Sequence, residues 1–132
     1  MIRLDGVTKR YGTFTAVDAL DLEVPAGEVF GFLGANGAGK TTTLKMLSGI
    51  LRPDRGRVIV AGIDMGADPV AAKRHLAFVP DRPYVYDKLT GREFLQFTAS
   101  LYGLTWKAVE SRAGELLELF ELQAWQHELV EQ

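Results

Sequence analysis

Eight consecutive residues, Gly34-Ala35-Asn36-Gly37-Ala38-Gly39-Lys40-Thr41, satisfy the pattern G-x-x-x-x-G-K-[ST] in full. This spacing suits a backbone that wraps the phosphates of a nucleoside triphosphate. Gly34, Gly37 and Gly39 open conformations closed to other residues and let phosphate oxygens approach the amides. A helix starting at Lys40 would add free N–H groups and a dipole that favours an anion. Lys40 offers a mobile positive charge for the β- and γ-phosphates, the Thr41 hydroxyl a ligand for Mg²⁺, and Thr42 a donor from the first helical turn. The ligand this chemistry implies is ATP with magnesium. A glycine-rich turn without a ligand is the plain alternative, and the agreement of the pattern with both flanks argues against it. A dinucleotide fingerprint is excluded, because the loop has no G-x-G-x-x-G spacing.

Such a loop needs a strand behind it and a helix ahead of it. Val29-Phe30-Gly31-Phe32-Leu33 is a short continuous apolar run, the pattern of a strand buried on both faces. A helix is expected from about Lys40 to Ser48, with Leu44 and Leu47 on one face and Gly49 as its stop. Upstream, Ile2–Val7 and Phe14–Val24 read as strands joined by Lys9-Arg10-Tyr11-Gly12. Downstream, Pro53-Asp54-Arg55-Gly56 turns into a strand over Arg57–Ala61, and Leu76–Val79 forms another strand ended by Pro80. Thr90-Gly91-Arg92-Glu93 fits a capping box for a helix running to about Tyr102. Trp106, Val109, Ala113, Leu116 or Leu117, and Phe120 repeat at helical spacing and predict a helix over Trp106–Glu121. The first half is mixed α/β and the last third helical.

Composition narrows the chemistry. The chain has 132 residues, fitting one domain, with 47% hydrophobic and 24% charged side chains. Fifteen Lys and Arg against 17 Asp and Glu leave a formal charge of −2, which gives no electrostatic case for a nucleic-acid partner. The absence of cysteine excludes disulfides, thiolate chemistry and cysteine-based zinc sites. No apolar run approaches the ~18 residues of a membrane span, and the first residues lack the apolar run of a signal peptide. Membrane association is therefore expected only through a partner.

With these residues in view, the sequence resembles the N-terminal portion of an ABC-transporter ATPase. Gly34–Thr42, with Asn36 and tandem Thr41-Thr42, is similar to that family's Walker A loop. Tyr11-Gly12 stands where the family places an aromatic that stacks on adenine. Pro53-Asp54-x-Gly56-x-Val58-x-Val60-x-Gly62-x-Asp64 resembles the segment after the first helix. Phe78-Val79-Pro80-Asp81, followed by Tyr86-Asp87-x-Leu89-Thr90-x-x-Glu93, resembles the Q-loop region. Gly31-Phe32-Leu33-Gly34-Ala35-Asn36 with the triple Thr41-Thr42-Thr43 is most like exporters of the ABC-2 drug-resistance kind.

The resemblance implies an α/β fold of the P-loop NTPase type: an incomplete ABC ATPase core with N-terminal β-strands and the start of the helical subdomain. Residues 1–80 would be the ATP-binding core, and 81–132 the Q-loop region and helical segment. The implied nucleotide set is Tyr11, Gly34, Asn36, Gly37, Ala38, Gly39, Lys40, Thr41 and Thr42, with Thr41 and Asp81 toward the metal. The implied partners are a second ATPase subunit, as homo- or heterodimer, and a transmembrane permease subunit. The implied location is cytoplasmic, at the inner face of the membrane. The loop Pro83-Tyr84-Val85-Tyr86 would touch the permease or, alternatively, pack locally.

Two departures stand out. Asp81 occupies the position where the family usually has Gln; a carboxylate can bind Mg²⁺ or water but cannot donate as an amide does. Gln132 falls about where the family's signature segment begins, so the signature, the Walker B strand, the catalytic Glu and the switch His have no counterpart in these residues. His75 and His127 read as surface or boundary residues, Asp64 as a turn residue, and Trp106 and Trp125 as packing residues. Two rival readings are a self-contained P-loop NTPase or kinase using Asp81 as metal ligand, and a non-catalytic nucleotide-binding module. The base-reading Asn-Lys-x-Asp of a GTPase is absent from the sequence.

Overall fold

The computed structural model describes residues 1–81 and 85–131. They form two compact units, Met1–Val79 and Pro80–Gln132.

In the first unit, β1 (Ile2–Tyr11) runs antiparallel to β2 (Phe14–Val24) on one edge and to β3 (Arg55–Val60) on the other. A short β4 (Ile63–Asp64) completes the order β2-β1-β3-β4. Three register shifts interrupt the β1–β2 ladder. Two of them free backbone amides that side chains then satisfy. The Gly6 amide donates to Asp21 Oδ1 at 2.6 Å, and the Ala19 amide to Thr8 Oγ1 at 2.9 Å. The third lies between the pairs Lys9↔Val17 and Arg10↔Thr15, so Ala16 is the extra residue of a bulge.

Helix α1 (Lys40–Leu47) packs on this sheet through Thr43 and Met46, which are buried with Leu4, Val7, Val17, Val58 and Val60. Burying each of the larger apolar side chains is worth roughly 1.5–3 kcal/mol. Gly49, at φ 67°, ends the helix as expected, and the amides of Gly49 and Ile50 return to the carbonyls of Met46 and Lys45. A further short helix, α2 (Pro69–Lys73), follows β4; Asp68 caps it through the Ala71 amide. No helix is expected there from the sequence. Among the described residues, no helix is long and apolar enough to cross a membrane.

Two expected strands are not formed. Residues 29–33 carry no regular structure, and Val29 and Leu33 are 104% and 92% exposed rather than buried. Residues 76–79 are likewise irregular, with Val79 at 85% exposure. The physical reason is pairing. A strand buried on both faces needs hydrogen-bonded neighbours on either side. No described strand runs beside either segment. Phe30 and Phe32 still lie with Ile2, Leu22, Val24, Leu44 and Leu47 around an apolar cleft of about 240 Å³. The third strand also begins earlier than expected, at Arg55, and ends at Val60. Ala61, at φ 52°, and Gly62, at φ 82°, turn the chain into β4.

The second unit holds α3 (Gly91–Leu101) and α4 (Trp106–Leu119), with a 3-10 turn over Gln123–Trp125. The capping box is present: the Thr90 hydroxyl accepts the Glu93 amide, and the Glu93 carboxylate accepts the Thr90 amide at 2.8 Å. In α4 the inward stripe is narrower than the spacing suggested. Ala113 is buried and Leu117 partly so, while Phe120, beyond the helix end, is 65% exposed. Arg92 stacks on Trp106 at 4.7 Å and pairs with Glu110 at 2.6 Å. Trp125 is exposed beside an apolar cleft rather than packed away.

Candidate functional site

The loop from Gly34 to Thr42 enters α1 through a left-handed residue. Gly39 is the N-cap at φ 83°, and Gly37 stands at φ 84°. Gly39 is required twice over. Its φ disfavours a side chain, and an added Cβ would press into the Ala16 carbonyl oxygen of the β2 bulge. That bulge therefore sets how close the loop lies to the sheet. The turn within the loop is closed by the Ala38 amide donating to the Ala35 carbonyl at 3.2 Å.

A glycine cap has no side chain to satisfy the first turn, and α1 has no side-chain cap hydrogen bond. The amides at the start of α1 precede the first helical acceptor, and the Thr43 amide is the first to reach back, to Gly39 at 2.8 Å. Lys40 curls over the loop, with Nζ donating to the carbonyls of Gly34 at 2.5 Å and Ala35 at 2.7 Å. Among the described residues no carboxylate pairs with it. The three threonines divide their tasks by position: Thr41 is exposed, Thr42 half-buried, and Thr43 is 1% exposed in the core. Free amides, a mobile ammonium and an outward hydroxyl at one helix end form a donor set suited to a polyphosphate and its metal. Asn36, Gly37 and Ala38 lie exposed on the same loop.

Tyr11 ends β1, half exposed, at the tip of the β1–β2 hairpin. Behind it, Lys9 Nζ lies 5.9 Å from its ring centroid and pairs with Asp54 at 2.9 Å. Asp54 also accepts the Arg10 amide at 2.7 Å. The hydrogen bond from Lys9, then that from Arg10, holds the Asp54 carboxyl below its ordinary range. This clamp is not legible in the sequence: Asp54 reads there as part of a turn motif, and its partners lie more than 40 residues away.

Asp81 is exposed at the start of the second unit. Among the described residues no cluster of three His, Asp or Glu could hold a metal. Asp64, expected in a turn, instead ends β4 opposite Ile59, and its carboxylate accepts the amides of Gly66 and Ala67 in the turn that follows. Both histidines are exposed. In the 83–86 loop, Pro83 and Tyr84 lie outside the described residues, while Tyr86 packs edge-on to Phe97 with centroids 5.1 Å apart.

The pattern of the ABC transporter family matches residues 17–132. The daunorubicin/doxorubicin resistance ATP-binding protein of Streptomyces peucetius is 43% identical over 121 residues, covering 92% of this chain and 37% of that protein. The chain thus spans little more than a third of that relative's length. Among solved structures, an ATP-binding subunit of an ABC transporter superposes with a TM-score of 0.86 at 30% identity, over 97% of this chain and 53% of the other. A dimeric ATP-binding cassette in a post-hydrolysis state with ADP and Pi superposes with a TM-score of 0.83 at 23% identity, over all of this chain and 62% of the other. These likenesses show the fold: α/β, of the ABC ATPase kind.

Proposed function

This chain belongs to the ABC transporter family, and from that premise we propose that Gly34–Thr42 binds Mg-ATP for a drug-exporting ATPase of the ABC-2 kind. The observation that carries the reading is the loop itself: a helix start behind Gly39 without a side-chain cap, with Lys40 held, among the described residues, by the two loop carbonyls of Gly34 and Ala35. Gly34, Asn36, Gly37, Ala38 and Gly39 present backbone to the phosphates. Lys40 exchanges the Gly34 and Ala35 carbonyls for β- and γ-phosphate oxygens. Thr41 would offer its hydroxyl to Mg²⁺, and Thr42 would donate to a phosphate. Magnesium, when bound, would draw charge from the phosphate oxygens, and Asp81 is proposed as a carboxylate ligand for it. Tyr11 stacks on the base.

In this reading residues 1–80 are the ATP-binding core and 81–132 the Q-loop region and helical segment. Hydrolysis also requires a positioned water, and these residues offer no clear group for that task. Their part is to bind and orient. The working protein would pair two ATPase subunits, homo- or heterodimeric, and couple them to a transmembrane permease at the cytoplasmic face of the membrane. The relative's resistance to daunorubicin and doxorubicin supports an export role.

The test is to purify the full-length protein with the membrane protein that accompanies it and reconstitute both in lipid vesicles. Mg-ATP turnover that depends on the membrane subunit and vanishes in Lys40→Ala is expected. Undiminished turnover in Lys40→Ala, or no accompanying membrane protein, would refute the reading.

A further inference from the structure

We infer that Phe14 is a second aromatic contact for the nucleotide base, so that the base meets two rings at one hairpin tip; the inference rests on the reading of Tyr11 given above. Tyr11 and Phe14 are direct cross-strand partners in the β1–β2 ladder. Residues placed directly opposite project to the same face, with Cβ atoms about 4.5–5.5 Å apart. Only Gly12 and Thr13 separate them, and Gly12 takes φ 58° to close the turn. The backbone therefore fixes both ring origins.

Exposure by itself would decide nothing, since single exposed apolar residues are ordinary. What distinguishes Phe14, at 61% exposure, is its tether to the phosphate loop. It stands two residues, about 7 Å of strand, from Ala16, whose carbonyl abuts Gly39. A ligand whose phosphates lie at the start of α1 meets this hairpin tip with its other end. Tyr11 is backed by the Lys9 ammonium, itself held by Asp54. Phe14 is the second ring that the same rung of the ladder places beside it. Every base has a π-face, so two rings strengthen binding with little discrimination between ATP and GTP.

The experiment measures Mg-ATP and Mg-tripolyphosphate affinity in the full-length protein for wild type, Phe14→Leu, Phe14→Tyr and Tyr11→Ala. Tripolyphosphate lacks a base and reports on the phosphate loop alone. Phe14→Leu should weaken ATP by about fivefold and leave tripolyphosphate unchanged, with Phe14→Tyr close to wild type. Unchanged ATP affinity in Phe14→Leu, or equal losses for both ligands, would overturn the inference. A Tyr11→Ala variant that lowers ATP selectively while Phe14→Leu does not would sink the Phe14 role alone. A Tyr11→Ala variant without a selective effect would remove the base platform altogether.

Discussion

At the scale of single residues, the Gly34–Thr42 loop depends on positions where one side chain type is permitted. Gly39 is the sharpest. Its left-handed φ and its approach to the Ala16 carbonyl leave no room for a methyl group. Gly39→Ala should therefore shift the loop from the sheet and weaken Mg-ATP binding at least tenfold, while Gly34→Ala meets only ordinary van der Waals neighbours and should cost less. Isothermal titration of both variants checks the order; equal losses would contradict it. The type of each loop residue was legible in the sequence because the pattern encodes backbone chemistry. The bulge at Ala16 was not, because register is a property of two strands and leaves no mark on either one. The Lys9–Asp54 clamp was hidden for the same reason.

Among the elements, the hairpin strand Phe14–Val24 and the helix after Thr90 are legible in the sequence, while the short helix α2 and the unpaired segments 29–33 and 76–79 are not. The helix at Thr90 was legible because its capping box is local, and the structure contains both of its hydrogen bonds. Thr90→Ala should cost about 1 kcal/mol in chemical denaturation of the full-length protein, with Thr90→Ser near wild type. The box also carries a pH signature. The Thr90 amide first, then its hydroxyl, holds the Glu93 carboxyl below its ordinary value of 4.5. The unfolded chain then binds more protons in that interval, so stability rises with pH there. The contribution is complete above the ordinary value and is lost as pH falls through the folded one. Glu93→Gln should flatten that part of the stability curve; an unchanged acid limb would show that other carboxylates set it. By contrast, residues 29–33 have strong strand character, yet extended pairing needs a neighbour that the sequence of one segment cannot reveal.

For the molecule as a whole, the role proposed for the described residues is to bind the nucleotide. The exposed apolar chain at Val29 and Leu33 presents unpaired backbone, a template for association. A 132-residue polypeptide of this sequence should self-associate in size-exclusion chromatography and release phosphate from Mg-ATP negligibly. A monodisperse monomer that turns over ATP, and loses that turnover in Asp81→Asn, would instead favour a self-contained enzyme with Asp81 on the metal. The central claim, that the Gly34–Thr42 loop holds the triphosphate, is tested most directly by calorimetric titration of Mg-ATP and adenosine into the full-length wild type and Lys40→Ala. Charge-assisted hydrogen bonds are worth about 1.5–3 kcal/mol each, so Lys40→Ala should bind ATP at least tenfold more weakly, with adenosine affinity unaltered. Equal ATP affinity in the two proteins would contradict the account.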